Sequence, residues 1–257
     1  MKVTVCELHD DPDLLHRDWN LLVSHAKSEN TELVLLPEMP FYPWIAWNKD
    51  FDPMVWQAAI DAHENWHERL SELSPAVVLG TRPVNKNGKR LNEGFIWDVN
   101  KGYQAVHHKY YLPDENCFWE ASWYERGDLS FTPFQAGNLR MGMMICTEMW
   151  FTEHARIYAR EGIHVLASPR ATDISTVDKW IAGGRVATVM SGAYCISSNR
   201  CGIDKNGMAW AGNAWIIEPL EGKVLATTSE VQPFITLDID LKIAEQAKST
   251  YPRYVPE

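Results

Sequence analysis

Residues 32–38, ELVLLPE, narrow the fold more than any other stretch of this chain. The run is apolar at nearly every position and then stops on Pro37 and Glu38. A near-continuous apolar run of this kind is the pattern of a strand covered on both faces, whereas a strand with one wet face alternates. A sheet holding such a strand needs packed structure on either side of it.

The rest of the sequence supplies that structure as alternating strand-like and helical segments. VTVCEL (3–8) reads as a strand, and 12–29 as a helix with Leu14, Leu15, Leu21, Leu22 and Ala26 on one face. Residues 53–73 read as a second helix. PAVVLGT (75–81), GFIWDV (94–99) and YQAVHHKYYL (103–112) read as strands, the first two joined by a turn at Asn85-Lys86-Asn87-Gly88. LRMGMMIC (139–146) predicts a strand, 152–161 a helix stopped by Gly162, HVLASP (164–169) a strand, 177–192 a helix and YCISSN (194–199) a strand. AWIIEP, KVLATTS and PFITLDID follow as antiparallel strands, and 241–248 as a short terminal helix. Fixed-period repeats and low-complexity linkers are absent from the sequence. The pattern predicts one α/β domain over residues 1–257, with helices outside its sheets. Periodicity alone leaves a Rossmann-like sheet and a sandwich of two sheets equally open.

Charge and cysteine content remove several function classes. The net charge is −10 and no Lys/Arg run exceeds two residues, so a phosphate-tracking surface and a nucleic-acid partner are not expected. No apolar run approaches the length of a membrane span, and MKVTVCELHDD lacks the apolar core and cleavage site of a secretion signal. Five cysteines in a long chain argue for a reducing compartment, which points to the cytoplasm.

In α/β architectures, reactive groups gather beyond the carboxyl ends of strands. Three predicted strands deliver such a group: LVLLPE ends on Glu38, AVHHK on Lys109 and MGMMIC on Cys146. Singly, each has a bland explanation: a polar strand end, a solvated lysine, an inert buried thiol. Cys146 has the best local case, since the strand before it feeds a helix at once. Unpaired N–H groups at a helix start lower a thiol pKa and can hold an oxyanion.

Taken together, the three blocks resemble the nitrilase superfamily of carbon–nitrogen hydrolases. LVLLPEMPF is similar to the family's first block, HHKYYLPDENCFWE to its second, and RMGMMICTEMWFTEHARIYAREGIHVLASPRA to its third. Glu148 and Glu153 stand two and seven places after Cys146, as in the family, and SSNRCG and GNAWIIEPLEGKVLA resemble later blocks. The resemblance implies a four-layer α-β-β-α sandwich and a Glu38-Lys109-Cys146 triad. In that triad Glu38 is the general base, Lys109 the oxyanion partner and Cys146 the nucleophile of a thioester mechanism, with the backbone N–H of Thr147 as a second oxyanion donor. It implies a further carboxylate at Glu120, eleven places after Lys109, although Tyr111 replaces the histidine that N-carbamoylputrescine amidohydrolases carry two places after the lysine. It also implies self-association, commonly as a homodimer, and requires no metal or cofactor.

The predicted substrate is a small amide or N-carbamoyl compound. Trp150 stands where relatives that bind a substrate carboxylate often carry arginine, which disfavours an acid-tailed substrate. Tyr42, Trp44, Trp47, Trp119 and Trp150, with Arg170 and Ala171, are the candidate pocket residues. Arg170 is read either as a pocket ligand or as the ion-pair partner of a nearby carboxylate. Two enzymatic rivals remain. A nitrilase would share the triad, but those enzymes usually carry Cys-Trp-Glu where this chain has Cys146-Thr147-Glu148. A zinc hydrolase could use His63-Glu64-Asn65-Trp66-His67, an H-E-x-x-H pattern, but it needs a third ligand. His107-His108 are adjacent strand residues facing opposite ways. A binding module without activity would not need all three triad residues.

Overall fold

A computed structural model describes residues 1–255; the last two residues of the predicted 1–257 domain lie outside the described residues. Thirteen strands follow one connected hydrogen-bonding network. They are β1 (Lys2–His9), β2 (Leu33–Leu35), β3 (Val77–Lys86), β4 (Lys89–Asp98), β5 (Gly102–His108), β6 (Phe134–Ala136), β7 (Leu139–Met143), β8 (Val165–Arg170), β9 (Tyr194–Ile203), β10 (Ala209–Ala211), β11 (Trp215–Ile217), β12 (Val224–Thr227) and β13 (Phe234–Asp238). The helices are α1 (Pro12–Glu29), α2 (Pro53–Asn65), α3 (His67–Leu70), α4 (Glu120–Trp123), α5 (Thr152–Arg160), α6 (Val177–Ser191) and α7 (Leu241–Ala247).

The main strand order is β5-β4-β3-β2-β1-β9-β8-β7-β6. Its centre, from β3 through β2, β1, β9 and β8 to β7, is parallel. The two halves of the order join where β1 pairs β9, with Glu7 opposite Asn199, Leu8 opposite Arg200 and His9 opposite Cys201. They then fold face to face. Val3, Val5, Leu33, Leu35 and Leu79 of the first half pack in one core with Met141, Met143, Val165, Ala167 and Ile196 of the second. The outer face of the first half is covered by α1, through Leu15, Trp19 and Leu22 against Leu8, Val34, Leu36 and Val78. On the other outside, Tyr158 of α5 presses on Gly142, and Trp215 of β11 presses on Gly184 of α6. A Cβ at Gly142 would lie 2.8 Å from the Tyr158 ring, so this glycine is what lets helix and strand approach. The layers are therefore α-β-β-α, the sandwich rather than the single open sheet.

Local chemistry explains most boundaries. Asp11 caps α1 by accepting from the N–H groups of Asp13 and Leu14, Pro12 opens the first turn, and Asn30 ends it at φ 54°. The 53–73 segment is not one helix. It divides into α2, α3 and a 3₁₀ turn at Ser71–Leu73, because Trp66 stacks on Phe41 at 4.8 Å and on His16 at 4.9 Å. The β3–β4 hairpin turns on Asn87 and Gly88 alone, both at positive φ, so Asn85 and Lys86 belong to the strand. The strand predicted over 32–38 pairs only at Leu33–Leu35, and that over 139–146 ends at Met143. Beyond both points the backbone leaves the sheet to present a side chain. No helix among the described residues is long and apolar enough to cross a membrane.

Candidate active site

The nucleophile candidate sits on a bend. After β7 the chain turns directly into a 3₁₀ helix, Cys146–Trp150, and Cys146 takes φ +47°. A non-glycine residue in this region is strained and needs its surroundings to hold it there. Glu148 does so: one carboxylate oxygen accepts the Ile145 N–H at 2.8 Å and contacts His107 Nε2 at 2.7 Å. Its other oxygen accepts the Tyr110 N–H at 2.8 Å. The wholly buried Glu148 thus ties the cysteine turn to the residues on both sides of Lys109. Burial works against a charge on His107, but Glu148 outweighs it and holds the imidazole above its ordinary value of 6.5.

Lys109, Glu38 and Glu120 form a closed charged group. Lys109 Nζ donates to Glu38 Oε1 at 2.8 Å and to both oxygens of Glu120, at 2.8 and 2.6 Å. All three side chains are buried. Burial would pull the lysine down, but Glu120 and Glu38 more than offset that and hold it firmly protonated. Glu120 is pushed up to about 7, by burial first, against the opposing pull of Lys109. Tyr124 donates its hydroxyl to Glu120 Oε2, and Asn92 donates to Glu38 Oε1 at 2.8 Å. The second Glu38 oxygen, Oε2, is buried and has no hydrogen-bond partner among the described residues. Burial, and then the Glu38 charge, raise the Cys146 thiol well above its ordinary value, with Lys109 opposing. That environment favours the neutral form of the thiol.

Backbone contacts fix the Glu38 loop. The Glu38 N–H donates to Arg170 O at 3.1 Å, and the Met39 N–H to Thr81 Oγ1 at 2.7 Å. Arg200 donates Nε to Glu38 O at 3.1 Å and Nη2 to Tyr42 O at 3.0 Å and to Met39 O, while Nη1 pairs with Asp10. Sequence reasoning missed Asn92, Tyr124, His107 and Arg200 as site residues. Only Arg200 had a signal, its place in the SSNRCG block.

The structure brings together Glu38, Lys109 and Glu120, and couples their charges to Cys146. Ala171 joins them, its carbonyl oxygen 4.0 Å from Cys146 Sγ. Thr147 follows in the first turn of the 3₁₀ helix. The other candidates are placed differently. Arg170 is buried, each of its three nitrogens donates a hydrogen bond, and among the described residues none of these goes to a carboxylate. It donates to Ser197 Oγ at 2.7 Å, Thr172 Oγ1 at 2.9 Å and Asn213 O at 2.9 Å, with its guanidinium 3.8 Å over the Trp215 ring. Trp44 is a packed side chain, giving its Nε1–H to Cys117 O and its edge to Trp210. Trp150 is 38% exposed and lies on Gly183 and Trp180 of α6. Trp119 carries Lys49 Nζ 4.0 Å over its ring. Tyr42, Trp44 and Trp47 line a groove of about 560 Å³ with Phe51 and Trp123. Tyr111, the departure from the expected histidine, stacks on Phe151 at 3.4 Å and bonds His154 Nε2 at 2.9 Å.

The H-E-x-x-H pattern does not form a metal site. The helix breaks at Trp66, between its two histidines. His63 Nε2 accepts the Phe41 N–H, His63 Nδ1 contacts Ala59 O at 2.7 Å, and His67 Nε2 accepts the Trp97 indole N–H at 3.3 Å.

The chain is similar to known proteins over nearly its whole length. The sequence profile described as Carbon-nitrogen hydrolase matches residues 4–249. The human protein Omega-amidase NIT2 is 26% identical over 236 residues, covering 90% of this chain and 84% of the relative. Hydrolase C26A3.11 of Schizosaccharomyces pombe is 27% identical over 244 residues, covering 91% of this chain and 74% of the relative. Among solved structures, the carbon-nitrogen hydrolase from Helicobacter pylori G27 superposes with a TM-score of 0.87 at 22% identity, covering 99% of this chain and 94% of its own. Nit3 of Saccharomyces cerevisiae, described as a member of branch 10 of the nitrilase superfamily, gives a TM-score of 0.78 at 22% identity, covering 98% and 94%.

Proposed function

Since this chain belongs to the carbon–nitrogen hydrolase family, we propose that it hydrolyses a small linear amide or N-carbamoyl compound through a thioester on Cys146. The observation that carries this reading is the unpartnered, buried Glu38 Oε2, on a carboxylate whose charge acts on the buried Cys146 thiol. Glu38 takes the thiol proton as sulfur bonds to the substrate carbonyl carbon. The carbonyl electron pair moves to oxygen, where Lys109 and the Thr147 N–H stabilise it. Glu120 holds Lys109 through both of its oxygens. One of those contacts can pass to the oxyanion while the other keeps the ammonium paired. The tetrahedral species collapses by breaking the C–N bond, and Glu38 returns its proton to the leaving nitrogen. Water then attacks the thioester, Glu38 takes its proton, and the thiol and the acid are released.

Relatives named omega-amidases support an amide over a nitrile, as does Thr147 in place of tryptophan after the cysteine. The test is intact-protein mass spectrometry after brief mixing with aliphatic, aromatic and carbamoyl amides, each beside its matching nitrile. An acyl adduct mapped to Cys146 and formed from amides is the expected result. Adducts from nitriles alone, or turnover without any adduct in a Cys146→Ala variant, would overturn the reading. Self-association as a homodimer belongs to the same proposal and is read by light scattering.

A further inference from the structure

A second cluster of reactive side chains stands outside the catalytic group, at the seam between the two half-sheets. His9 ends β1, Cys201 is its register partner on β9, and Asp18 reaches them from α1. His9 Nδ1 lies 2.5 Å from Asp18 Oδ2 and 3.5 Å from Cys201 Sγ. One atom from each of the three residues lies within 4.8 Å of the others. Asp18 is buried and Cys201 nearly so, while the His9 side chain keeps 27% of its exposure. Among the described residues no other set of histidine, cysteine and carboxylate groups converges in this way.

Hydrogen bonding accounts for the carboxylate, since Asp18 Oδ2 accepts the His9 N–H at 3.0 Å and lies 2.5 Å from the ring nitrogen, but not for the sulfur on that same nitrogen. A single ring nitrogen carries at most one proton, yet an oxygen and a sulfur both close on Nδ1. A cation in place of that proton would satisfy all three atoms. The nitrogen–sulfur separation is already that of a tetrahedral zinc site, where bonds of about 2.0 and 2.3 Å put N and S about 3.5 Å apart. The oxygen would need to retreat by less than about 1 Å. Asp18 Oδ1 is engaged by Arg17 at 3.0 Å, so Oδ2 is the oxygen turned to the ring. The backbone makes room for the imidazole: Gly202 has φ +82°, and a Cβ there would strike His9 Cδ2 at 2.6 Å. On the open side lies a cleft of about 660 Å³ lined by Glu7, His9, Asp18 and Cys201, which leaves space for water or a ligand in a fourth position.

We propose that His9 Nδ1, Asp18 Oδ2 and Cys201 Sγ bind a zinc-class divalent cation that clasps β1 to β9. Mixed nitrogen, oxygen and thiolate donors at tetrahedral spacing select this class over magnesium or calcium. On binding, Cys201 gives its thiol proton to solvent as the sulfur–metal bond forms. His9 binds through an unprotonated Nδ1, so binding the cation releases protons to solvent. The site is separate from the amide chemistry, but Arg200, next to Cys201, holds the Glu38 loop.

The test is titration of the full chain with Co²⁺, whose thiolate charge-transfer absorption reports a Co–S bond. A Cys146→Ser background keeps the catalytic thiol out of the measurement. Expected are one equivalent of Co²⁺ with the near-ultraviolet thiolate band, its displacement by Zn²⁺, and loss of the band in Cys201→Ser. Asp18→Asn and His9→Asn should each weaken Co²⁺ at least about tenfold, and they decide the matter if Cys201→Ser does not fold. No thiolate band in the parent, a band surviving in Cys201→Ser, or unchanged affinity in both other variants would overturn the proposal.

Discussion

Glu38 Oε2 is the one oxygen of the charged group left without a hydrogen bond among the described residues. Leaving a buried carboxylate oxygen unpaired costs stability, on the order of 1–3 kcal/mol, and such groups mark places where function overrides folding. Replacing Glu38 with Gln keeps the shape and removes the carboxylate proposed as the base. Steady-state assays should show kcat falling by about 10² to 10⁴ with little change in the unfolding midpoint. Cys146→Ala should leave no measurable adduct or turnover, and Lys109→Ala should lose about 10² to 10³ from the oxyanion contribution alone. On the proposed mechanism Glu120, pushed up to about 7 by burial, should give the acidic limb of kcat/KM. Activity should fall as pH drops below about 7, and Glu120→Gln should move the limb toward the ordinary carboxylate range. A limb that stays in place in that variant would assign it to another group.

The strands and turns that carry these side chains differ in how plainly the sequence announces them. Glu38, Lys109 and Cys146 are legible as reactive residues at predicted strand ends, and Glu120 only through the family resemblance, eleven places after Lys109. The clamp made by Glu148 is not, because it joins Ile145 to His107 and Tyr110 across 38 to 41 residues of sequence. The seat of Trp150 is illegible for a related reason. A tryptophan beside a nucleophile suggests a pocket wall, but the Gly183 surface that receives it lies on α6. The break at Trp66 is likewise a tertiary effect, set by stacking on Phe41 and His16, which helix periodicity cannot register. The clamp also makes a prediction. His107 is held above 6.5 in the fold, so its contribution to stability is complete below that pH and is lost as pH rises through the folded value. Wild type and His107→Gln should therefore differ most in urea midpoint below pH 6.5 and converge once the pH has passed the raised folded value. A constant difference across pH would show that packing, not charge, gives His107 its role.

At the scale of the whole molecule, two half-sheets share one core and one hydrogen-bonded seam. Arg200 sits on that seam with its ion pair to Asp10 wholly inside the protein. Arg200→Met would strand Asp10 as a buried charge, with an expected loss of about 3–5 kcal/mol in urea unfolding. Because both halves contribute to the same core, the loss should appear as a shift of one cooperative transition. Separate unfolding of the two halves would contradict the shared-core description.

The seam has a further consequence for synthesis. Glu38, Lys109 and Glu120 belong to the first half of the chain, and Cys146 and Ala171 to the second. A ribosome releases the base and the ammonium before it releases the thiol, and β9, which locks the second half onto β1, comes later still. Until β9 docks, the nascent polypeptide holds its reagents apart, so the chemistry is switched on by the last stages of folding.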